Sequence, residues 1–158
     1  MSTNDEQSFA VTVTAIDGKW RVAEFDDSLA DIDTSIKAVR SLRAEGVSFA
    51  MLCIDDDYLA LARPTPTGVK LLISDATAAL EDDFAASILD KLGAEYPSEG
   101  DGPYAEGDFD MFEDLGLNEQ VLSVICDDEE AWASEQILAI AEELGFAEQL
   151  ADLLDLDF

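Results

Sequence analysis

The sequence predicts an α+β protein, in which an antiparallel sheet with the element order ββαβββα precedes a small acidic helical region. Two kinds of periodicity support this class: alternating apolar residues typical of strands, and apolar residues three or four apart typical of helices. The length of 158 residues suits one domain or a domain with a helical appendage. We expect a sheet domain over 8–93, an acidic linker rich in proline and glycine over 94–108, and an acidic helical region over 109–158.

The first elements are a hairpin and a helix. Residues 9–16 alternate apolar and polar side chains, which predicts a strand. Asp17-Gly18 follows, and because glycine readily adopts the positive φ of a two-residue turn, residues 19–25 should return antiparallel. Trp20 is expected to pack in the core. After an acidic connector over 26–33, helical spacing up to Glu45-Gly46 predicts an amphipathic helix with Ile32, Ile36, Val39 and Leu42 on its apolar face.

Three more strands and a second helix complete the predicted sheet domain. Residues 47–54 are nearly all apolar, as in a strand covered on both faces. Aspartates at 55–57 turn the chain into a strand over 58–62, and a Pro-Thr-Pro-Thr-Gly turn at 64–68 leads to a strand over 69–73. From Ser74 onward, apolar residues such as Leu80 and Phe84 predict a helix that ends at Gly93. This order resembles profilin-like and roadblock-like folds.

The remaining chain combines linker chemistry with short helices. Two prolines, two glycines and several acidic residues between Glu95 and Pro103 are typical of a flexible joint. Leu-Gly-Leu at 115–117 and Leu-Gly-Phe at 144–146 have the pattern of helix ends. We expect helices over 109–115, 118–126, 133–144 and 147–154, with Asn118 and Ser134 as N-caps.

Composition excludes several functions. The chain has 37 acidic residues, 8 basic residues and no histidine, for a formal net charge of -29. Such a charge repels phosphate backbones, so we expect no direct nucleic-acid binding. Without histidine, no side-chain type has an unperturbed pKa near neutrality, which disfavours proton-transfer catalysis. The sequence has neither a signal-peptide pattern nor an apolar run long enough for a membrane span, so a cytoplasmic protein is expected.

The acidic residues are concentrated in the second half. Residues 1–79 contain 13 acidic and 7 basic residues, whereas 80–158 contain 24 acidic residues and one basic residue, Lys91. This asymmetry favours an acidic surface that binds a basic protein partner, although solvated helix faces of a very soluble protein explain the same count. Trp132 is interpreted as either a partner contact or a hydrophobic cap on the helical region. The candidate partner-binding residues are Asp127, Asp128, Glu129, Glu130, Trp132, Glu142 and Glu143.

Neither the cysteines nor the acidic runs indicate a metal or a cofactor. Cys53 and Cys126 each lie in an apolar run, which is typical of buried thiols rather than of a disulfide. The acidic runs lack the ligand spacing of an EF-hand loop, so no calcium site is expected. Lys37, Arg40 and Arg43 form the one basic cluster, interpreted as a solvated helix face that complements the helix dipole.

Four segments, taken in order, resemble the actinobacterial family of tRNA adenosine deaminase-associated proteins. These segments extend along most of the chain: Asp17-Gly18-Lys19-Trp20 leading to 25–27; 72–76 continuing to 80–82; 107–110 to 114–117; and 140–147. The family is named for a gene beside that of the deaminase that converts wobble adenosine to inosine in tRNA. The resemblance implies association with that enzyme and carries over no catalytic residues.

The chain is not the deaminase itself. Zinc deaminases need a histidine or cysteine ligand beside a catalytic glutamate, followed by Pro-Cys-x-x-Cys, and this chain has no histidine and no such motif. We therefore expect a non-enzymatic acidic accessory protein, which either chaperones the deaminase or occupies its RNA channel as a phosphate mimic. The alternatives are a soluble structural or stress-related protein without a macromolecular partner, and an enzyme that uses a pair of carboxylates.

Overall fold

The computed structural model describes residues 8–25, 31–43, 46–128 and 130–154. Within these ranges the fold is α+β, as predicted, with one antiparallel sheet in the order β2-β1-β3-β4-β5-β6. The strands are β1 (Phe9–Ile16), β2 (Lys19–Glu24), β3 (Val47–Ile54), β4 (Tyr58–Thr65), β5 (Gly68–Ile73) and β6 (Glu106–Gly107). The α-helices are α1 (Ile32–Ser41), α2 (Asp83–Leu92), α3 (Glu119–Cys126), α4 (Ala133–Leu144) and α5 (Ala147–Leu154).

The β1–β2 hairpin forms where the turn residues predict it. Asp17 and Gly18 have φ values of 53° and 78°, so both occupy the left-handed region that a type I′ turn requires. Ile16 pairs with Lys19 directly beside this turn. Local turn chemistry therefore sets the register of the first two strands.

Several predicted boundaries are wrong, because local caps override the apolar spacing. The helix expected from Ser74 is a 3-10 helix over Ala76–Leu80 followed by α2, which begins where the Asp82 carboxylate accepts the Phe84 N–H. Leu80 is 43% exposed as a result. The predicted helix over 109–115 is only a 3-10 turn, Glu113–Leu115. Leu42 is also exposed, because α1 ends one residue before it.

Helices cover both faces of the sheet. Helices α1 and α2 pack on one face, where alternate β3 residues such as Ala50 and Leu52 are buried. Helices α3, α4 and α5 pack on the other face, over Phe49 and Met51. Strand β3 is therefore buried on both sides, as its continuous apolar sequence predicts.

An aromatic cluster joins the helical region to the sheet. The Phe49 ring lies 4.8 Å from that of Phe112 and 6.0 Å from that of Phe146, measured between centroids. The Trp20 ring lies 5.0 Å from that of Phe146, so its predicted core packing is confirmed. Such aromatic pairs are worth about 0.5–1.5 kcal/mol each beyond the area that they bury.

The segment predicted as a linker, 94–108, contains strand β6. Gly107 pairs with Leu72 in β5, and its φ of 139° suits only glycine. A Cβ atom at this position would lie 2.3 Å from the Leu71 carbonyl oxygen. Asp108 continues the pairing, because its carboxylate accepts the Leu71 N–H at 3.0 Å. The division of the chain at 94–108 stays a prediction.

Candidate partner-binding surface

The charge asymmetry of the sequence becomes an asymmetry between the two helical layers. Helices α1 and α2 together carry three acidic and three basic residues. Helices α3, α4 and α5, on the opposite face of the sheet, carry six acidic residues and no basic residue. The layer that contains most of the predicted partner-binding residues is thus uniformly negative along its helices.

A groove of about 670 Å³ lies between α3 and α4 and is named here the α3–α4 groove. Its apolar lining consists of Val124, Ile125, Ala131 and Ala139. Its acidic lining consists of Asp127, Asp128 and Glu135. Val124 is 71% exposed, the highest value among the exposed large apolar side chains of the described residues. The groove therefore presents unburied apolar surface beside three carboxylates.

Gln136 holds the two walls of the groove together. This side chain is 7% exposed, and the two N–H groups of its amide are shared among the carbonyl oxygens of Ile125, Cys126 and Asp128, which lie 3.0, 3.3 and 3.1 Å from the nitrogen. These carbonyls belong to the C-terminal end of α3 and the loop after it, where helix carbonyls lack intrahelical partners. One side chain of α4 thus caps α3 and sets the shape of the groove.

A carboxylate from the sheet fixes the N-terminal end of α4. Asp56, in the β3–β4 turn, is 4% exposed, and its Oδ1 accepts the Ser134 N–H at 2.7 Å. Its carbonyl oxygen also accepts the Ala133 N–H at 3.3 Å. The prediction of Ser134 as N-cap is wrong: Trp132 occupies that position, and the carboxylate that satisfies Ser134 comes from a distant turn.

The structure brings only some of the predicted partner-binding residues into the groove. Asp127 and Asp128 line it, whereas Glu130 is exposed in the following loop and Glu129 lies outside the described residues. Trp132 is 48% exposed, and its backbone N–H donates to the Glu135 carboxylate at 2.8 Å.

Two predicted residues lie further along α4. Glu142 and Glu143 are exposed and follow Ala139 by three and four residues, so they continue the Glu135–Ala139 face of the helix. The acidic face of α4 therefore extends beyond the groove toward the C-terminal end of the helix.

The acidic residues at the ends of α3 and α4 oppose the helix dipoles. Helices α1 and α2 have Arg40 and Lys91 in their last turns, where a cation is favourable. By contrast, α3 is capped by Asp127, and α4 has Glu142 and Glu143 in its last turn. Neither α3 nor α4 has a basic residue there. Solubility alone does not require acidic residues at these unfavourable positions.

A second acidic surface lies at the end of the sheet. Its cleft, of about 620 Å³, is lined by the hydroxyl-bearing Ser8 and Tyr58 and by the carboxylates of Asp55, Asp57, Asp75, Glu81 and Asp82. Two of these carboxylates are structural, because Asp75 and Asp82 cap the helices that follow them. Burial and the hydrogen bond to Asp82 raise the pKa of Tyr58, which keeps its hydroxyl a donor. Clustered acidity is therefore not confined to the second half of the chain.

The cysteines and the basic cluster agree with their predicted roles. Cys53 and Cys126 are buried thiols, and burial raises the pKa of each to about 12. Lys37, Arg40 and Arg43 are exposed, and Arg40 donates to the Gly68 carbonyl oxygen at 2.9 Å. Among the described residues, no group of three or more acidic or cysteine side chains is arranged to hold a metal ion.

Sequence reasoning missed Val124, Glu135, Gln136 and Asp56. A signal for Val124 was present, because α3 reads Glu-Gln-Val-Leu-Ser-Val-Ile-Cys and is apolar on more than its buried Leu122 and Cys126 face. No comparable signal marks Gln136 or Asp56. Their roles depend on contacts between elements that are separate in the sequence.

Fold and surface together define a small acidic α+β protein whose antiparallel sheet is covered by helices on both faces. The chain belongs to the Rv3753c-like tRNA adenosine deaminase-associated protein family, whose model matches residues 8–147. It is 41% identical over 151 residues to protein Rv3753c of Mycobacterium tuberculosis (strain ATCC 25618 / H37Rv), covering 93% of this chain and 87% of that protein. No solved structure gives a significant match. Within the described residues, none of the helices combines the length and apolarity needed to cross a bilayer.

Proposed function

We propose that this protein is a non-enzymatic accessory protein that binds the tRNA adenosine deaminase through the surface formed by α3 and α4. The observation that carries this proposal is the coincidence of three features on one layer: helices without a cation, acidic residues at helix C-terminal ends, and an open apolar groove. The family description supplies the partner.

Electrostatic complementarity supplies the physical basis. An enzyme that binds tRNA presents basic surface to the phosphates, and the same surface attracts a protein of opposite charge. A basic partner also offsets the unfavourable placement of Asp127, Glu142 and Glu143 at helix C-terminal ends. The protein itself makes no direct contact with nucleic acid, because its charge repels phosphate.

The scaffold is proposed to act as an interaction platform in the cytoplasm, comparable to profilin-like and roadblock-like folds. In this arrangement residues 8–93 form the scaffold, residues 94–108 link it to the helical region, and residues 109–158 dock onto the deaminase. The absence of enzymatic activity belongs to the proposal and is supported by the structural roles of Asp75 and Asp82 in the second acidic cleft.

The decisive measurement is the salt dependence of a complex between the purified full-length protein and the deaminase of the same organism. We expect a complex on size-exclusion chromatography at about 50 mM salt that weakens toward about 0.5 M, because screening shortens the range of electrostatic attraction. Absence of a complex at the lower salt contradicts the proposal.

A charge-matched pair of variants locates the contact. Neutralising Asp127, Asp128, Glu142 and Glu143 to Asn or Gln should weaken the complex by about tenfold or more. Neutralising Glu81, Asp83, Glu95 and Glu99, which are exposed and lie before α3, changes the net charge equally and should have little effect. Equal weakening by both sets indicates a general charge effect and contradicts the assigned surface.

The two accessory roles, occupation of the RNA channel and chaperoning of the enzyme, predict different effects of tRNA on the complex. If the protein occupies the RNA channel, tRNA displaces it and the protein inhibits deamination. If it chaperones the enzyme, a complex persists with tRNA present and the yield of soluble deaminase rises with co-expression. If the wild type forms no complex and neutralising Asp127, Asp128, Glu142 and Glu143 alters only solubility, the alternative of an acidic protein with no partner is supported.

A further inference from the structure

We propose that the α3–α4 groove binds one cationic amphipathic helix of the partner, with apolar side chains in the groove and lysine or arginine beside them. The identity of the partner rests on the proposed function. The chemistry of the bound element rests on the groove alone.

The composition of the groove selects an amphipathic ligand. Val124, Ile125, Ala131 and Ala139 offer apolar contact, and two of these are alanines that allow close approach of a ligand. Removing such apolar surface from water favours binding. Asp127, Asp128 and Glu135 line the same groove, and no basic residue does. A purely cationic ligand leaves the valine exposed, and a purely apolar ligand leaves the carboxylates without countercharges.

The backbone of the groove selects a helix over an extended strand. The lining comes from α3, from α4 and from the loop residues Asp127, Asp128 and Ala131. Helix backbone groups are paired within each helix, the Asp127 and Ala131 N–H groups donate to the carbonyl oxygens of Ser123 and Asp128, and Gln136 donates to carbonyls at the end of α3. An extended peptide finds no free strand edge there, so part of its own backbone is buried without partners. A helix satisfies its backbone internally and presents only side chains.

The dimensions of the groove limit the length of the bound element. On α4 the lining runs from Glu135 to Ala139, four residues apart, and on α3 it includes Val124 and Ile125. At about 1.5 Å per helical residue, four residues of α4 span roughly 6 Å, or a little over one turn. The bound helix therefore contributes apolar side chains from one to two turns, at i and at i+3 or i+4.

The first test uses defined probes on the full-length protein. A leucine–lysine peptide with leucines at helical spacing is compared with a scrambled peptide of the same composition, and binding is followed by amide chemical shifts. We expect the patterned peptide to bind at least about tenfold more tightly and to shift residues of α3 and α4. Equal binding of both peptides, or shifts centred on the second acidic cleft, overturns the inference.

The second test uses an exposed position, so that loss of folding does not confound it. Val124→Gln removes apolar surface without changing charge and should weaken the patterned peptide by about tenfold, the equivalent of one buried aliphatic side chain. Leu80→Gln, on an exposed apolar residue outside the α3–α4 layer, is the matched control and should not weaken it. An unchanged affinity of Val124→Gln contradicts the groove as the site.

The same variants separate this inference from the proposed function. If the deaminase binds and Val124→Gln binds it equally well, the groove assignment fails while the accessory role stands. If the patterned peptide binds as expected but the deaminase does not, the groove assignment stands and the proposed partner is wrong.

Discussion

The carboxylate of Asp56 accepts the backbone N–H of Ser134 at 2.7 Å, which ties the β3–β4 turn to the first turn of α4 across 78 positions of sequence. Asp56 also has a positive φ of 56°, a conformation that aspartate tolerates better than most residues, and it accepts the Cys53 thiol at 3.6 Å. One side chain thus serves as turn residue, helix cap and connection between the sheet and the proposed docking surface.

We expect Asp56→Ala to lower the free energy of unfolding by about 2–3 kcal/mol, because it removes the cap and leaves a buried N–H unpaired. Asp55→Ala is the matched control, since Asp55 has a φ of 53° in the same turn but is exposed. Asp55→Ala should lower the free energy of unfolding by only about 1 kcal/mol, mainly because alanine adopts a positive φ less readily than aspartate. Urea unfolding measures both, and equal losses would mean that the cap contributes nothing.

We expect Glu143→Lys to raise the free energy of unfolding by about 0.3–1 kcal/mol, because it places a cation in the last turn of α4. The same variant should weaken the complex with the deaminase. Glu148→Lys is the opposite control, since Glu148 lies in the first turn of α5, where an acidic residue is favourable and a cation is not. Thermal unfolding distinguishes the two, and destabilisation by Glu143→Lys contradicts the dipole argument.

We expect both thiols to be unreactive in the folded protein at pH 8. Burial raises the pKa of Cys53 and of Cys126 from 9.0 to about 12, so the thiolate fraction is small. Reaction with a thiol reagent should be complete only after unfolding. Rapid modification of the native protein would show that one of the two is accessible.

The same pKa shifts predict how stability varies with pH. The folded state holds each thiol proton more tightly than the unfolded state does. The resulting contribution of the thiols to the free energy of unfolding is therefore fully present below pH 9 and is lost as pH rises from 9 toward 12. The unfolding free energy should fall by up to about 1.4 kcal/mol per pH unit and per thiol in this window. Replacing both cysteines with alanine should flatten the profile between pH 9 and 10, whereas above pH 10 the raised pKa of Tyr58 contributes a further loss of the same sign. Urea unfolding at a series of pH values measures both.

We expect Gly107→Ala to lower the unfolding free energy by about 2 kcal/mol or more, because its φ is positive and a Cβ atom would meet the Leu71 carbonyl oxygen. Gly102→Ala is the control, since no atom lies within 4 Å of a Cβ atom there. This pair also tests the predicted linker over 94–108. A flexible joint tolerates both changes, whereas a segment packed on β5 tolerates only the second.

Much of the fold was accessible from local sequence patterns. The hairpin at Asp17-Gly18, the doubly buried β3 and the helices around Asn118 and Gly145 all depend on residues close together in the chain, whose φ preference, apolar spacing and capping are local properties. The break between Leu80 and Asp83 was missed because two short capped helices share the apolar spacing of one longer helix.

By itself, the sequence determined the α+β class, the excess of acidic residues beyond the midpoint and the lack of the zinc deaminase motif, since these are properties of composition and of neighbouring residues. Only the tertiary structure decided which acidic residues share a surface with Val124 and how Gln136 joins two helices. It also decided that the Asp56 carboxylate, in the β3–β4 turn, caps the N-terminal end of α4. The physical reason is that a groove and a long-range cap are relationships between packed elements, and no periodicity along the chain encodes them.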